Sequence, residues 1–158
     1  FTGNVTIAAP IIAPTSYAST PTSGQIGYVY SPTVTGYISI TTATFYVLSD
    51  FTLTPGVWMI TGTVCYQGNG STATATLIWA GIYDYASTVI NQTANTTKAA
   101  VNSTGIGQLN TGHLTVQNTR IVAITSSTRY QLIGWCNFTS GALNISASGC
   151  ALSAVRIA

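Results

Sequence analysis

Charged side chains are nearly absent from this sequence. Asp, Lys and Arg make up 4% of the 158 residues and Glu does not occur, whereas a typical globular domain is roughly 25% charged. Disorder requires low hydrophobicity and high net charge, but this chain is 46% hydrophobic with a net charge of +2. A helix would have few charged residues to present to water, and the abundant Thr is β-branched and prefers strands. The composition therefore predicts an ordered all-β domain.

The sequence also has no long apolar run and no basic cluster. A membrane-spanning helix needs about 20 mostly apolar residues, and the apolar stretch at residues 7–13 is short and contains Pro10. The four basic residues are dispersed along the chain and do not form a patch for nucleic acid. We expect neither membrane insertion nor a nucleic-acid partner. An uncharged surface protects strand edges poorly, which points to an oligomer.

Groups that perform catalysis or bind metals are scarce. The only carboxylate side chains are Asp50 and Asp84, and the only histidine is His113. Glycoside hydrolysis usually needs a pair of carboxylates, hard cations need several, and no Gly-x-Ser-x-Gly nucleophile motif occurs. We expect no enzymatic activity, no metal site and no cofactor.

Three cysteines, Cys65, Cys136 and Cys150, have spacings that match no metal or redox motif. We expect three free thiols that act as small buried hydrophobes. One disulfide plus one free thiol is the alternative.

Two segments show strict period-two alternation. Residues 57–66 place Trp58 and Ile60 on one face and Met59 and Thr61 on the other, which predicts a half-buried strand. The preceding residues 54–56, Thr-Pro-Gly, favour a type II turn.

The second segment, residues 130–138, places Cys136 on the core face together with Leu132. Its opposite face carries Ile133 and Trp135. Because these two apolar side chains face away from the predicted core, we expect them to contact a neighbouring subunit.

Further strands are predicted at residues 27–30, 36–41, 44–48, 51–53, 72–83, 113–117, 120–124 and 145–157. Many short strands separated by turn signals predict a sandwich or jelly roll. Residues 84–110 are predicted to form a long loop with at most one short strand. Residues 1–24 contain Pro10, Pro14 and Pro21 and are predicted to form an extended connector, which leaves residues 25–158 as the compact domain.

Residues 51–66, FTLTPGVWMITGTVCY, resemble a motif of the C1q/TNF-like jelly rolls, in which a Pro-Gly turn leads into an aromatic-rich central strand. Residues 25–158 as a whole are similar to the receptor-binding tips of bacteriophage tail fibres, including the Gly27-Tyr28 opening and the ending at 152–158. The last strand departs from the C1q proteins, and the acidic residues of the calcium-binding members are missing. The resemblance implies a ten-stranded antiparallel jelly roll that forms a homotrimer with a receptor-binding or adhesive role.

Candidate binding residues come from aromatic and polar clusters. Tyr83, Asp84 and Tyr85 combine two rings with a hydrogen-bond acceptor beside a predicted loop, a combination suited to sugars; packing at a strand end is the alternative. The turn containing Gln67 and Asn69 and the region of His113 are further candidates. Seven asparagines stand in Asn-x-Ser/Thr sequons, so either a glycosylated extracellular protein or simply Asn- and Thr-rich strands could explain them.

These observations predict a trimeric receptor-binding head on a phage tail fibre or virion spike, whose loops bind a host-surface glycan or protein with an avidity raised by three copies. The alternatives are a structural virion fibre or decoration protein and a secreted C1q/TNF-like binding protein, which would place the chain outside the cell rather than on a virion.

Overall fold

A computed structural model describes residues 25–27, 29–31, 38–69, 73–85, 98–102 and 112–158, with the backbone alone at residues 30 and 98–102. The connector predicted at residues 1–24 lies outside this part of the chain. The described strands are β1 Val29–Tyr30, β2 Ile38–Ile40, β3 Thr44–Leu53, β4 Gly56–Gly68, β5 Ala75–Asp84, β6 Lys98–Asn102, β7 His113–Ile124, β8 Thr128–Phe138, β9 Leu143–Ile145 and β10 Ala151–Arg156. A 3-10 turn, Ala147–Gly149, precedes β10. None of the described helical segments has the length and apolar character required to cross a membrane.

The strands form two antiparallel sheets. The six-stranded sheet has the order β1-β10-β4-β9-β2, and β7 pairs with the other side of β4. The four-stranded sheet has the order β3-β8-β5-β6. The chain changes sheet between β3 and β4, between β4 and β5, and again at β7, β8 and β9. The predicted all-β antiparallel sandwich is confirmed.

The core lies between the sheets and follows the predicted alternation. Trp58, Ile60, Val64 and Tyr66 of β4 are buried, whereas Met59 on the opposite face is exposed. Burying each such large apolar side chain contributes about 1.5–3 kcal/mol, so the inward face of this long central strand contributes much of the folding free energy.

The Tyr66 hydroxyl connects the two sheets. It accepts a hydrogen bond from the Trp135 N–H at 2.8 Å and donates to the Trp79 carbonyl at 2.7 Å, with the Trp135 carbonyl at 3.0 Å as a second acceptor. Gly134 leaves room for it, because a Cβ there would lie 3.1 Å from the hydroxyl and 2.8 Å from Ile145 Cδ1. One side chain of the six-stranded sheet thus satisfies backbone groups of β5 and β8.

Several local predictions need correction. The segments predicted as separate strands at 113–117 and 120–124 form the single strand β7, and residues 145–157 are divided between β9, the 3-10 turn and β10. The segments predicted separately at 44–48 and 51–53 form the single strand β3, which includes Asp50. Gly56 has a φ of +148°, which differs from the roughly +80° of a type II turn. The connection between β3 and β4, which ends at Gly56, crosses from one sheet to the other.

The sandwich has two ends. The proximal end is where Gln25 lies, and it includes residues 54–56, 84–85 and 125–127; Gly27 donates to the Arg156 carbonyl there at 2.7 Å. The distal end includes residues 41–43, 67–69, 112–113 and 139–142. Because β4 runs from one end to the other with 13 residues at about 3.3 Å each, about 40 Å separates them.

Candidate functional site

The structure divides the predicted binding residues between the two ends. Tyr83, Asp84 and Tyr85 lie at the proximal end, where β5 finishes beside Tyr130 of β8. Gln67, Asn69 and His113 lie at the distal end, and Gln67 and His113 are direct partners in the β4–β7 pair. The six residues therefore cannot form a single site.

The three proximal residues point in different directions. Tyr83 is buried, and burial raises the pKa of its hydroxyl, so the alternative of strand-end packing holds for this residue. Tyr85 is 59% exposed and lies beneath the guanidinium of Arg129, whose Cζ is 4.7 Å from the ring centroid. Asp84 alternates with them and faces the opening between the sheets. The two tyrosine rings and the carboxylate do not converge on one ligand.

The face of β8 that we expected to be exposed is buried within one chain. Ile133 and Trp135 have 0% and 2% of their surface exposed and form a cluster with Trp79 and Tyr83. The two indole rings stack with centroids 5.9 Å apart. Among the described residues, the Trp79 Nε1 and the Tyr83 hydroxyl have no hydrogen-bond partner. The predicted subunit contact through Ile133 and Trp135 required both side chains to be exposed, and both are buried.

An open cleft of about 470 Å³ lies at the proximal end. Its polar lining comes from Asp84, Arg120, Tyr130 and the hydroxyl side chains of Thr125, Ser126 and Thr128. Arg120 lies over the Tyr130 ring at 5.7 Å and donates to the Ile82 carbonyl at 3.4 Å. Burial raises the pKa of Tyr130, an effect partly offset by the positive charge of Arg120.

Sequence reasoning found Asp84 but missed Arg120 and Tyr130. These two belong to β7 and β8, which lie in different sheets, and only the packing of the sheets brings them together. The available signal was an Arg at a core-facing position of β7, two residues before Val122. A long cationic side chain that points inward near a strand end has to contact a polar or aromatic partner.

All three arginines contact aromatic rings near the proximal end. Besides the contacts of Arg120 and Arg129, Arg156 Cζ lies 5.8 Å from the Trp58 ring centroid. Arg129 also forms an ion pair with Asp50, and the hydrogen bond to that carboxylate raises the pKa of Arg129. The three arginines and Asp50 are therefore concentrated at one end.

The distal end presents neutral polar groups. Asn69 and His113 are exposed, and the Thr42 hydroxyl donates to the Asn137 Oδ1 at 2.9 Å. Asn137 and Asn69 are accessible sequon asparagines, whereas the sequon residue Asn144 is buried. Amides and hydroxyls at this end can donate and accept hydrogen bonds without net charge.

The outer face of the six-stranded sheet carries an apolar row. Val29 is the register partner of Val155, Val155 of Met59, and Met59 of Ile121, so the row crosses β1, β10, β4 and β7. Val29, Met59 and Ile121 are 55%, 37% and 66% exposed. Arg120 and Arg156, the charged side chains of these strands, face inward. This row, named here the apolar row, is an exposed apolar strip on an open sheet face.

Comparison with solved structures shows a likeness in fold. A solved structure described as Eiger TNF from S. frugiperda superposes with a TM-score of 0.56 at 8% sequence identity, over 85% of this chain and 94% of that chain. The fold is a TNF-like jelly roll. No family model matches the sequence, and no curated protein matches it either.

The two carboxylates of this TNF-like jelly roll are not paired. Asp84 and Asp50 are register neighbours of Tyr130 and Gln131 on the two sides of β8, which places their strands about 10 Å apart. Asp50 faces outward to Arg129, whereas Asp84 faces the cleft. The imidazole of His113 lies at the far end. Among the described residues, no three His, Cys, Asp or Glu side chains come close enough to hold a metal ion.

Proposed function

We propose that this domain is the receptor-binding head of a virion fibre, similar to the tips of phage tail fibres, and that it acts as a homotrimer. The observation that carries the proposal is the separation of two surfaces on one molecule. The apolar row lies on a sheet face without Asp, Lys or Arg, which suits self-association, while the distal end offers accessible amide, imidazole and hydroxyl groups.

The apolar row supports the trimer. Exposed Val29, Met59 and Ile121 are in register across one face, so a second copy can cover them together. Burying apolar surface contributes about 25 cal/mol per Å², and the face holds no Asp, Lys or Arg that would lose hydration. The subunit contact is therefore assigned to this face and not to Ile133 and Trp135.

The distal end is the proposed receptor-binding surface. Gln25 lies at the proximal end, so a connector formed by residues 1–24, as the sequence predicts, would leave the distal end pointing away from the fibre. Three copies of Asn69 and His113 around one axis would bind a multivalent cell surface with an avidity well above the affinity of one copy. The binding mode is adhesion, because Asp50 and Asp84 lie on opposite faces of the four-stranded sheet and cannot act as a hydrolytic pair.

The trimer is tested by light scattering after size exclusion. Met59→Lys in the apolar row should convert the trimer to monomer, because it places a charge inside the contact. Val47→Lys is the matched control, since Val47 is similarly exposed at 46% but lies on the other sheet. A monomeric wild-type protein at micromolar concentration contradicts the proposal.

Adhesion is tested by attachment of the labelled trimer to host cells. The double variant Asn69→Ala/His113→Ala should lose most attachment while its mass and thermal unfolding stay unchanged. Attachment of the wild type should change little with added salt, because screening acts on charges and the described residues of the distal end include no Asp, Lys or Arg. Full attachment by the folded double variant contradicts the distal site.

A further inference from the structure

The proximal cleft has the size of a ligand site. Its volume of about 470 Å³ falls within the roughly 300–1,000 Å³ of typical small-molecule sites. It is open to solvent and lies about 40 Å, by the length of β4, from the distal end. The proposed attachment surface therefore does not account for it.

The charges of the described residues that line the cleft cancel. Among these residues, Asp84 contributes one carboxylate and Arg120 one guanidinium, and the remaining polar side chains carry hydroxyl groups. An anionic ligand attracted by Arg120 would be repelled by Asp84, and a cationic ligand attracted by Asp84 would be repelled by Arg120, so a charge on the ligand gains little net attraction. A neutral ligand whose hydroxyls both donate and accept matches both groups.

The fold holds these groups in place. Asp84 is fixed as the register partner of Tyr130 at the last position of β5. The Arg120 guanidinium is held by the Tyr130 ring below it and by the Ile82 carbonyl, and that bond uses one of its five N–H donors. Held in this way, the groups lose little conformational entropy when a ligand binds.

We propose that the proximal cleft binds a neutral saccharide with adjacent hydroxyl groups, at a site separate from the distal end. The Asp84 carboxylate accepts hydrogen bonds from two neighbouring hydroxyls. Arg120 donates to the oxygen of a third, and Thr125, Ser126 and Thr128 supply the rim. This assignment stands without the adhesive role, since a saccharide can bind here whether or not the distal end attaches to cells.

The test is titration of the intact, isotope-labelled domain with the methyl glycosides of glucose, galactose and mannose, followed by amide chemical shifts. At least one glycoside should shift the amides of Asp84 and residues 120–130 in a saturable manner and leave those of Asn69 and His113 unchanged. Glucuronic acid and glucosamine, the charged counterparts, should bind at least about tenfold more weakly. Glycerol serves as the control for unspecific polyol effects.

Asp84→Asn should weaken binding by at least about tenfold, because it removes a charged hydrogen-bond acceptor. Asp50→Asn is the matched control, with the same chemical change on the outer face of the sheet, and should leave the affinity unchanged. Equal thermal unfolding of the two variants excludes misfolding as the cause. The proposal is overturned if no methyl glycoside shifts these amides, if glycerol gives the same shifts, if the charged sugars bind as well as the neutral ones, or if Asp84→Asn binds like the wild type. None of these outcomes affects the attachment assay, which depends on the distal end.

Discussion

Removal of the Tyr66 hydroxyl tests the connection between the sheets. In Tyr66→Phe, the Trp135 N–H loses its acceptor at 2.8 Å and the Trp79 carbonyl loses its donor at 2.7 Å. Tyr66 is fully buried, so water does not replace the lost partner. Each buried backbone group left without a hydrogen bond costs about 1–3 kcal/mol. We therefore expect the free energy of unfolding to fall by about 2–6 kcal/mol in total.

The assay is urea unfolding at a fixed protomer concentration, because assembly makes apparent stability depend on concentration. The loss should appear as a lower midpoint with an unchanged slope, and as a decrease of about 5–25 °C in the melting temperature. Tyr46→Phe is the control, since the Tyr46 hydroxyl accepts from the exposed Thr41 N–H at 2.6 Å. Water can replace that partner, so its cost should stay below about 1 kcal/mol. Equal costs for the two variants would refute the reasoning.

Three further predictions concern burial. Burial raises the pKa of Tyr66 well above 10, so the contribution of its protonated hydroxyl to stability is fully present below pH 10 and is lost as the pH rises further. The free energy of unfolding should fall by up to about 1.4 kcal/mol per pH unit above 10, and Tyr66→Phe should not show this fall. Burial also raises the pKa of Cys136 to about 12, so thiol reagents at neutral pH should modify it slowly in the folded protein. After denaturation without a reducing agent, three thiols per chain should react, and a count of one would show a disulfide. Trp135→Ala should cost about 3–5 kcal/mol in urea unfolding, as a core residue does, and a cost below 1 kcal/mol would contradict its burial.

Local patterns predicted the strands well because alternation records which face of a strand is buried. The inward side of β4 and the core position of Cys136 follow from period two alone. Alternation does not report what covers the opposite face, and Trp135 was therefore assigned to a subunit contact although it stacks on Trp79 in the same chain.

The candidate site could be predicted only in part for a similar reason. Asp84 stands out in a sequence with two carboxylates, but its neighbours in the cleft come from β7 and β8, about 40 residues later in the chain. No spacing rule connects positions that meet through the packing of two sheets. Tyr83 and Tyr85 shared a motif with Asp84, yet strand geometry turns them to the other face.

The pairing of β4 has a consequence for how this chain is made. Its neighbours β7 and β10 are synthesised much later, and Arg156, the register partner of Trp58 in β10, lies about 100 residues further along the chain. Contacts between such distant positions make folding slow, so both edges of β4 stay without their partner strands while the later part of the chain is being made. A chain that stops before β10 would leave that strand open along one side, available for pairing with other molecules. Residues 151–156 of β10 thus cover that edge of β4 as well as completing the sheet.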